Sequence, residues 1–459
     1  MPADGPDPPS EHRPRRPALA RSAAVGLLAL LVFGVGLDAE PPFADEWAYV
    51  SQAYFGPLWW EGRWDDPAWL EYGGIDLPPL PKYLIGGMIA LGGYPMSDRL
   101  DALSWYKDTS STFGSPGLLS WCRWPMVVLG AIGCVAASAI GAMAFGPRAG
   151  ALAGMVLAIN PLYRLHARRA MSDVPTEAFT LLALGVGLWA WRELIGGRPG
   201  RGAAAMALGG GVLAGMAALS KLSGGLAMMT LAAWAALAAV LPGVPASRKA
   251  AVAGAVVVAG LIAYGTFIVG NPTLTARPGP VRGAPKDYVA MAETGLIGRT
   301  LAVLEHRAAV SKAGQQTPLF QQQGYALTDL PSKLAVVAVQ GFGRFGPLGP
   351  RHSDSLVRYD WRQDWGAAIW GPLVLLGVGW AAWLGLRQHR LGAPPTAWAV
   401  LVQFAVAAAT VSVFIPLAWD RYLLPIQSGS AILASGFVAG AVAAASRFVR
   451  GRRREADGA

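Results

Sequence analysis

The chain has 459 residues, of which 53% are hydrophobic and only 14% charged, with a mean hydropathy of +0.38 and a formal net charge of +10. A soluble domain of this length is more polar and more charged, so a predominantly membrane-embedded chain is expected. The basic residues are scattered over separate segments and form no single patch, which argues against nucleic acid as a partner.

Hydropathy predicts an all-α integral membrane protein with about ten spans. In chain order they run Ala18–Leu37, Trp124–Phe145, Ala149–Leu165, Val174–Trp191, Ala203–Leu219, Leu222–Leu241, Ala250–Val269, Gly366–Leu386, Ala397–Leu417 and Leu423–Ala445. The short apolar run Tyr83–Leu91 reads as an interfacial or re-entrant helix instead of a further span. The 18 Trp and 12 Tyr suit aromatic belts at the two interfaces, and the 58 Gly suit close helix packing in lipid. The run Gly209-Gly210-Gly211 lies inside a span with no strand before it, so it is a packing or hinge feature and not a phosphate cradle.

Basic residues set the predicted orientation. Arg13, Arg15 and Arg16 precede the first span with Arg21 in its first turn, and Arg148, Arg192, Arg198, Arg201, Arg248, Lys249, Arg387 and Arg390 fall in every second short connection. Arg447, Arg450 and Arg452–Arg454 crowd the last segment. The positive-inside rule places all of these in the cytoplasm, with both termini inside. The chain then divides into a cytoplasmic tail (1–17), a polytopic membrane domain (18–445) and a basic cytoplasmic tail (446–459). Two long extracytoplasmic loops, 38–121 and 271–365, exceed the length of plain connections and are expected to carry function. The first apolar stretch imitates a secretory signal, but no small-x-small cleavage site follows, so a retained helix is expected.

Cys122 and Cys134 lie twelve residues apart around one helix, about 18 Å along its axis, beyond the reach of a disulfide. The five histidines show no ligand-like spacing, and His352 with Asp354 reads as a solvated loop pair.

The outer face is the informative one. An adjacent carboxylate pair, Asp45 and Glu46, follows the first span, with Tyr49 close behind. Asp76, Lys82 and Tyr83 come later in the same loop, and Arg168, Arg169 and Asp173 lie between the third and fourth spans. Lys221 occupies the turn between the fifth and sixth, and Asp420, Arg421 and Tyr422 lie between the ninth and tenth. Carboxylates at the bilayer edge are costly unless they pair, reach water or do chemistry. The topology puts all these groups, from five separate segments, at one membrane surface.

Together these residues resemble the GT-C superfamily of glycosyltransferases, and within it the protein O-mannosyltransferases and the lipid A aminoarabinose transferases. The resemblance rests on the Asp-Glu pair followed by Tyr49, the Pro-Pro-Leu-Pro-Lys-Tyr run at Pro78–Tyr83, and Arg-x-x-Met-Ser-Asp-x-Pro at Arg168–Pro175. The Leu-Ser-Lys turn at Leu219–Lys221 and Arg-Tyr-Leu-Leu-Pro at Arg421–Pro425 fit as well. One departure is Leu77, where protein mannosyltransferases usually carry His before the Pro-Pro pair. It argues against assuming a protein Ser/Thr acceptor.

The resemblance implies inverting transfer of a sugar from a polyprenyl-phosphate carrier to an acceptor hydroxyl of a lipid, glycan or protein, on the outer face of the cell membrane. An attacking hydroxyl must lose its proton, and a carboxylate can take it. Asp45 is the expected base, with Glu46 orienting it or the acceptor and Asp173 as a further carboxylate. The leaving phosphate needs its charge stabilised, and Lys82, Arg168, Lys221 and Arg421 are the expected cations, Arg168 being preferred to Arg169 on motif spacing. Tyr49, Tyr83 and the loop Trp residues are expected against the sugar, and Tyr422 is expected in the substrate site. No cofactor is expected; a divalent ion at Asp45 and Asp173 is the less favoured alternative. The competing reading is a transporter or flippase of lipid-linked sugars, which calls for ionisable groups near the midplane and an inverted repeat. A non-catalytic subunit would not require acids and cations to converge.

Overall fold

In a computed structural model the described residues are 16–96, 117–277, 293–322, 325–344 and 365–457. His352 and Asp354, and parts of both long loops, lie outside them. The described chain is helical, and its only β contact is an isolated bridge between Ala326 and Leu417.

The helices are α1 (Arg16–Gly34), then four short ones in the first loop: α2 (Ala44–Ser51), α3 (Phe55–Trp60), α4 (Tyr72–Asp76) and α5 (Leu80–Leu91). There follow α6 (Leu118–Phe145), α7 (Pro147–Ile159), α8 (Pro161–Ala167), α9 (Asp173–Ile195), α10 (Pro199–Ser220), α11 (Leu222–Val240) and α12 (Ala246–Val269). The second loop contributes α13 (Leu296–Gln316), α14 (Pro318–Gln322) and α15 (Leu330–Val339), and the chain closes with α16 (Trp365–Arg390), α17 (Thr396–Phe414) and α18 (Leu424–Asp457).

Nine of the ten predicted spans each fall on one helix, and the third, Ala149–Leu165, is divided between α7 and α8. Among the described residues eight are long and apolar enough to cross a membrane, while the first and third predicted spans are shorter, Ala20–Gly34 and Pro147–Ile159. The third is cut at Asn160-Pro161. Proline cannot donate to a continuing helix, and the Asn160 side chain instead caps α8 by accepting from the Tyr163 amide at 3.0 Å.

Small residues set the closest helix approaches. A Cβ on Gly154 of α7 would meet the Cys134 carbonyl of α6 at 2.7 Å, and one on Gly215 of α10 would meet the Ala263 carbonyl of α12 at 2.6 Å. Such contacts are how helices associate where lipid supplies no hydrophobic drive. The glycine run ends a π-helical turn, Ala205–Gly210, within α10. Indoles tie the bundle laterally: Trp191 Nε1 donates to the Trp234 carbonyl at 3.0 Å, and Trp234 Nε1 to that of Ala399 at 2.7 Å. This frame holds the ends of α2, α9, α10 and α18 together at one end of the bundle, where the polar residues gather.

Candidate active site

The loop after α1 is anchored by two buried arginines. Glu46 in the first turn of α2 is fully buried, and its two oxygens receive four N–H groups. Arg123 Nε and Nη2 each donate at 2.8 Å, the Ala170 amide at 2.8 Å and the Phe43 amide at 2.9 Å. Arg123, near the start of α6, also donates to the carbonyls of Leu37 (3.1 Å), Glu40 (2.8 Å) and Pro41 (3.1 Å). Arg168 satisfies carbonyls left open at the end of α1, donating to Phe33 (2.9 Å) and Val35 (2.7 Å), and pairs with Glu40 at 3.0 Å. Glu46 and Arg168 thus hold the backbone that carries Asp45.

Asp45, beside Glu46, is partly exposed and points the other way. Its Oδ2 accepts from Arg421 Nη1, a residue 376 positions later. Arg421 is sandwiched over Trp419 (4.4 Å) and Tyr422 (5.7 Å), which fixes the guanidinium through cation–π contact. At the start of α9, buried Asp173 accepts from Lys221 Nζ at 2.8 Å, and Lys221 lies 5.3 Å from the Tyr422 ring. Asp173 Oδ2 and Arg421 Nε are buried without a hydrogen-bond partner among the described residues. Tyr49 donates to Ser172 Oγ at 2.6 Å, next to Asp173. Burial and the Asp173 carboxylate hold the Tyr49 phenol above its ordinary range. Asp45, Tyr49, Asp173, Lys221, Arg421 and Tyr422 therefore form one cluster. His166 and Asp420 border it, with Nε2 and Oδ1 3.3 Å apart.

A cavity of about 190 Å³ opens against this cluster. Asp173, Lys221, Arg421 and Tyr422 line it, as do two charged residues that the sequence motifs do not contain: Arg307 of α13 and Glu177 of α9. Three cations thus face one space. The apolar remainder includes Leu226, Val411, Phe414 and Leu424.

Lys82 and Tyr83 stand apart, in the packing of the first loop. Lys82 is fully buried and donates to the carbonyls of Gly73 and Leu77, the latter at 2.8 Å. Tyr83 donates to the Gly270 carbonyl at 3.0 Å and stacks on Trp59. Asp76 pairs with Arg307, joining the two long loops. Burial pushes the Asp76 carboxyl up, but His306, Arg307 and Lys82 together outweigh it and leave it below its ordinary range. Burial pushes the Lys82 ammonium down to about 7, with Asp76 opposing and Arg307 adding to the effect. The folded state therefore holds fewer protons at Lys82 than the unfolded one between about pH 7 and the ordinary value of 10.5. Stability is expected to rise with pH across that window. Lys82→Met should abolish this slope and, by stranding two partly buried carbonyls, cost up to about 1–3 kcal/mol for each; thermal unfolding in detergent from pH 6 to 10 checks both.

Among the described residues no group of three or more His, Cys, Asp and Glu side chains is placed to hold a metal ion. Asp45 and Asp173 are each engaged by a cation of the chain.

No family model and no curated protein matches the sequence. Solved structures do match. The archaeal oligosaccharyltransferase AglB from Archaeoglobus fulgidus, in complex with an inhibitory peptide and a dolichol-phosphate, aligns with a TM-score of 0.52 at 14% identity, over 92% of this chain and 50% of that one. The Saccharomyces cerevisiae protein O-mannosyltransferase complex bound to the sugar donor aligns at 0.43 and 16% identity, over 55% and 33%. ArnT from Cupriavidus metallidurans bound to undecaprenyl phosphate aligns at 0.37 and 16%, over 92% and 77%. The chain thus has the fold of the archaeal oligosaccharyltransferase, in agreement with the GT-C resemblance of its motifs, and spans about half the length of that enzyme.

Proposed function

We propose that the protein is a membrane glycosyltransferase that moves a sugar from a polyprenyl-phosphate carrier to an acceptor hydroxyl at the outer face of the membrane, with inversion. The observation that carries this reading is the meeting of Asp45 with Arg421, beside the Asp173–Lys221 pair and at the mouth of a cavity lined by three cations.

In this reading the acceptor hydroxyl approaches Asp45, which takes its proton as the new oxygen–carbon bond forms at the anomeric carbon. The bond from that carbon to the phosphate oxygen breaks on the opposite face, and the electron pair leaves with the phosphate. Arg421, Lys221 and Arg307 meet that charge in a site largely shielded from water, where fixed cations act more strongly than in solution. Arg421 touches the base and also lines the cavity, so it couples proton uptake to departure of the phosphate. Asp173 holds Lys221 in place. Glu46 and Arg168 serve the reaction by fixing the loop that presents Asp45. The apolar side of the cavity suits the start of a prenyl chain.

The test is transfer of labelled sugar by the purified protein in lipid, with a panel of polyprenyl-phosphate sugars as donors and a crude membrane extract as acceptor. Label moving into the extract is the expected result. Donors left intact by the whole panel would count against transfer and for the transporter reading.

The sidedness has its own test. Cys122 and Cys134 are buried and should stay silent to thiol reagents. A membrane-impermeant maleimide on whole cells should then label Arg63→Cys, an exposed position in the first long loop, and spare Arg198→Cys until the membrane is opened. The reverse pattern would turn the cluster towards the cytoplasm.

A further inference from the structure

Glu177 belongs to none of the motifs, yet it is a buried acid in a helix long and apolar enough to cross a membrane, a position that is costly without a purpose. Only one of its oxygens is engaged among the described residues: Oε1 accepts from Ser428 Oγ at 2.5 Å. The residue lines the cavity along with the hydroxyl-bearing Thr176, Ser223 and Thr410. It follows Asp173 by four positions on α9, so it sits on the same face, about 6 Å farther along the axis. The cavity therefore has two acidic levels along α9, Asp173 with its Lys221 partner at one and Glu177 at the other.

On the strength of the proposed transfer reaction, we infer that Glu177 reads the donor's sugar, accepting hydrogen bonds from ring hydroxyls while the cations hold the phosphate. The other parts of a lipid-linked sugar do not fit this level. A phosphate is drawn to the cations, of which Lys221 pairs with Asp173 and Arg421 acts on the same carboxylate, while Glu177 would repel it. A prenyl chain laid against Glu177 would leave its second oxygen buried and unpaired, at a cost of about 1–3 kcal/mol. A ring bearing several hydroxyls satisfies the carboxyl group and reaches the phosphate level in one step. The site therefore takes a polyhydroxylated sugar, and Glu177 contributes to which sugar is accepted.

The test measures binding of two probes to the full-length protein in lipid nanodiscs: polyprenyl phosphate alone, and the same carrier bearing each of a panel of hexoses and pentoses. Native protein is expected to hold at least one loaded carrier about tenfold more tightly than the bare one. Glu177→Ala should bring that ratio close to one and leave bare-carrier affinity unchanged; Glu177→Gln, which keeps the volume and one acceptor, should fall between and covers the case in which the alanine variant fails to fold. A ratio near one in native protein for every sugar, a ratio unchanged in both variants, or an equal loss of both affinities would each overturn the inference. Transfer is followed in the same samples. Discrimination that Glu177→Ala removes, in a protein that transfers to no acceptor, would uphold the sugar pocket and remove the transferase reading. Transfer with undiminished discrimination in the variants would do the opposite.

Discussion

Asp45→Asn is expected to lower sugar transfer by about 10²- to 10⁴-fold, the usual contribution of a positioned general base. The change is nearly isosteric, and the amide oxygen can still accept from Arg421, so the cluster should keep its shape. What disappears is a group able to take the acceptor's proton. Loss should therefore fall on turnover, with carrier binding held by Lys221, Arg307 and Arg421 and little altered. Asp45→Glu keeps the carboxylate but displaces it, and should retain part of the activity. Rates with labelled donor, alongside thermal unfolding of the same preparations, decide the matter. If Asp45→Asn transferred as fast as native protein, Asp45 would lose the role of base and Asp173 would take its place as candidate.

The second large effect is on folding. Arg123→Ala is expected to cost about 3–5 kcal/mol, because it leaves a fully buried carboxylate, Glu46, without its charge partner. The same change releases the carbonyls of Leu37, Glu40 and Pro41, which are three further acceptors of the loop. Glu46→Ala should be similarly damaging, since Arg123 would then be the stranded charge. Replacing both, as Arg123→Met with Glu46→Leu, should be much less harmful than either single change, because apolar packing takes the place of the pair. Unfolding temperature and yield in detergent are the readouts. A folded Arg123→Ala protein of native stability would show that Glu46 is held by other means. Glu46→Gln separates architecture from chemistry: as a structural anchor, its loss of activity should track its loss of stability.

The two carboxylates at Asp45 and Glu46 look alike in sequence, and their environments have little in common. The membrane class and the order of the helices were legible, since each is a property of local composition. A window of about twenty residues is apolar or it is not, and basic loops alternate along the chain. Two residues outside the motifs left a trace that was open to reading. Arg123 stands at the predicted outer end of the predicted span Trp124–Phe145, against the alternation of basic loops, and Glu177 is an acid inside the predicted span Val174–Trp191. Arg307 left none, because a charged residue in a long polar loop is unremarked by any local rule. Only the tertiary structure decided which acid meets which cation. It sends Glu46 inward to Arg123 and Asp45 outward to Arg421, engages Lys82 with backbone carbonyls, and brings Arg307 from the second loop to the cavity. The physical reason is that an ion pair is worth what its distance and local dielectric make it, and for residues 376 positions apart both are set by how the helices pack.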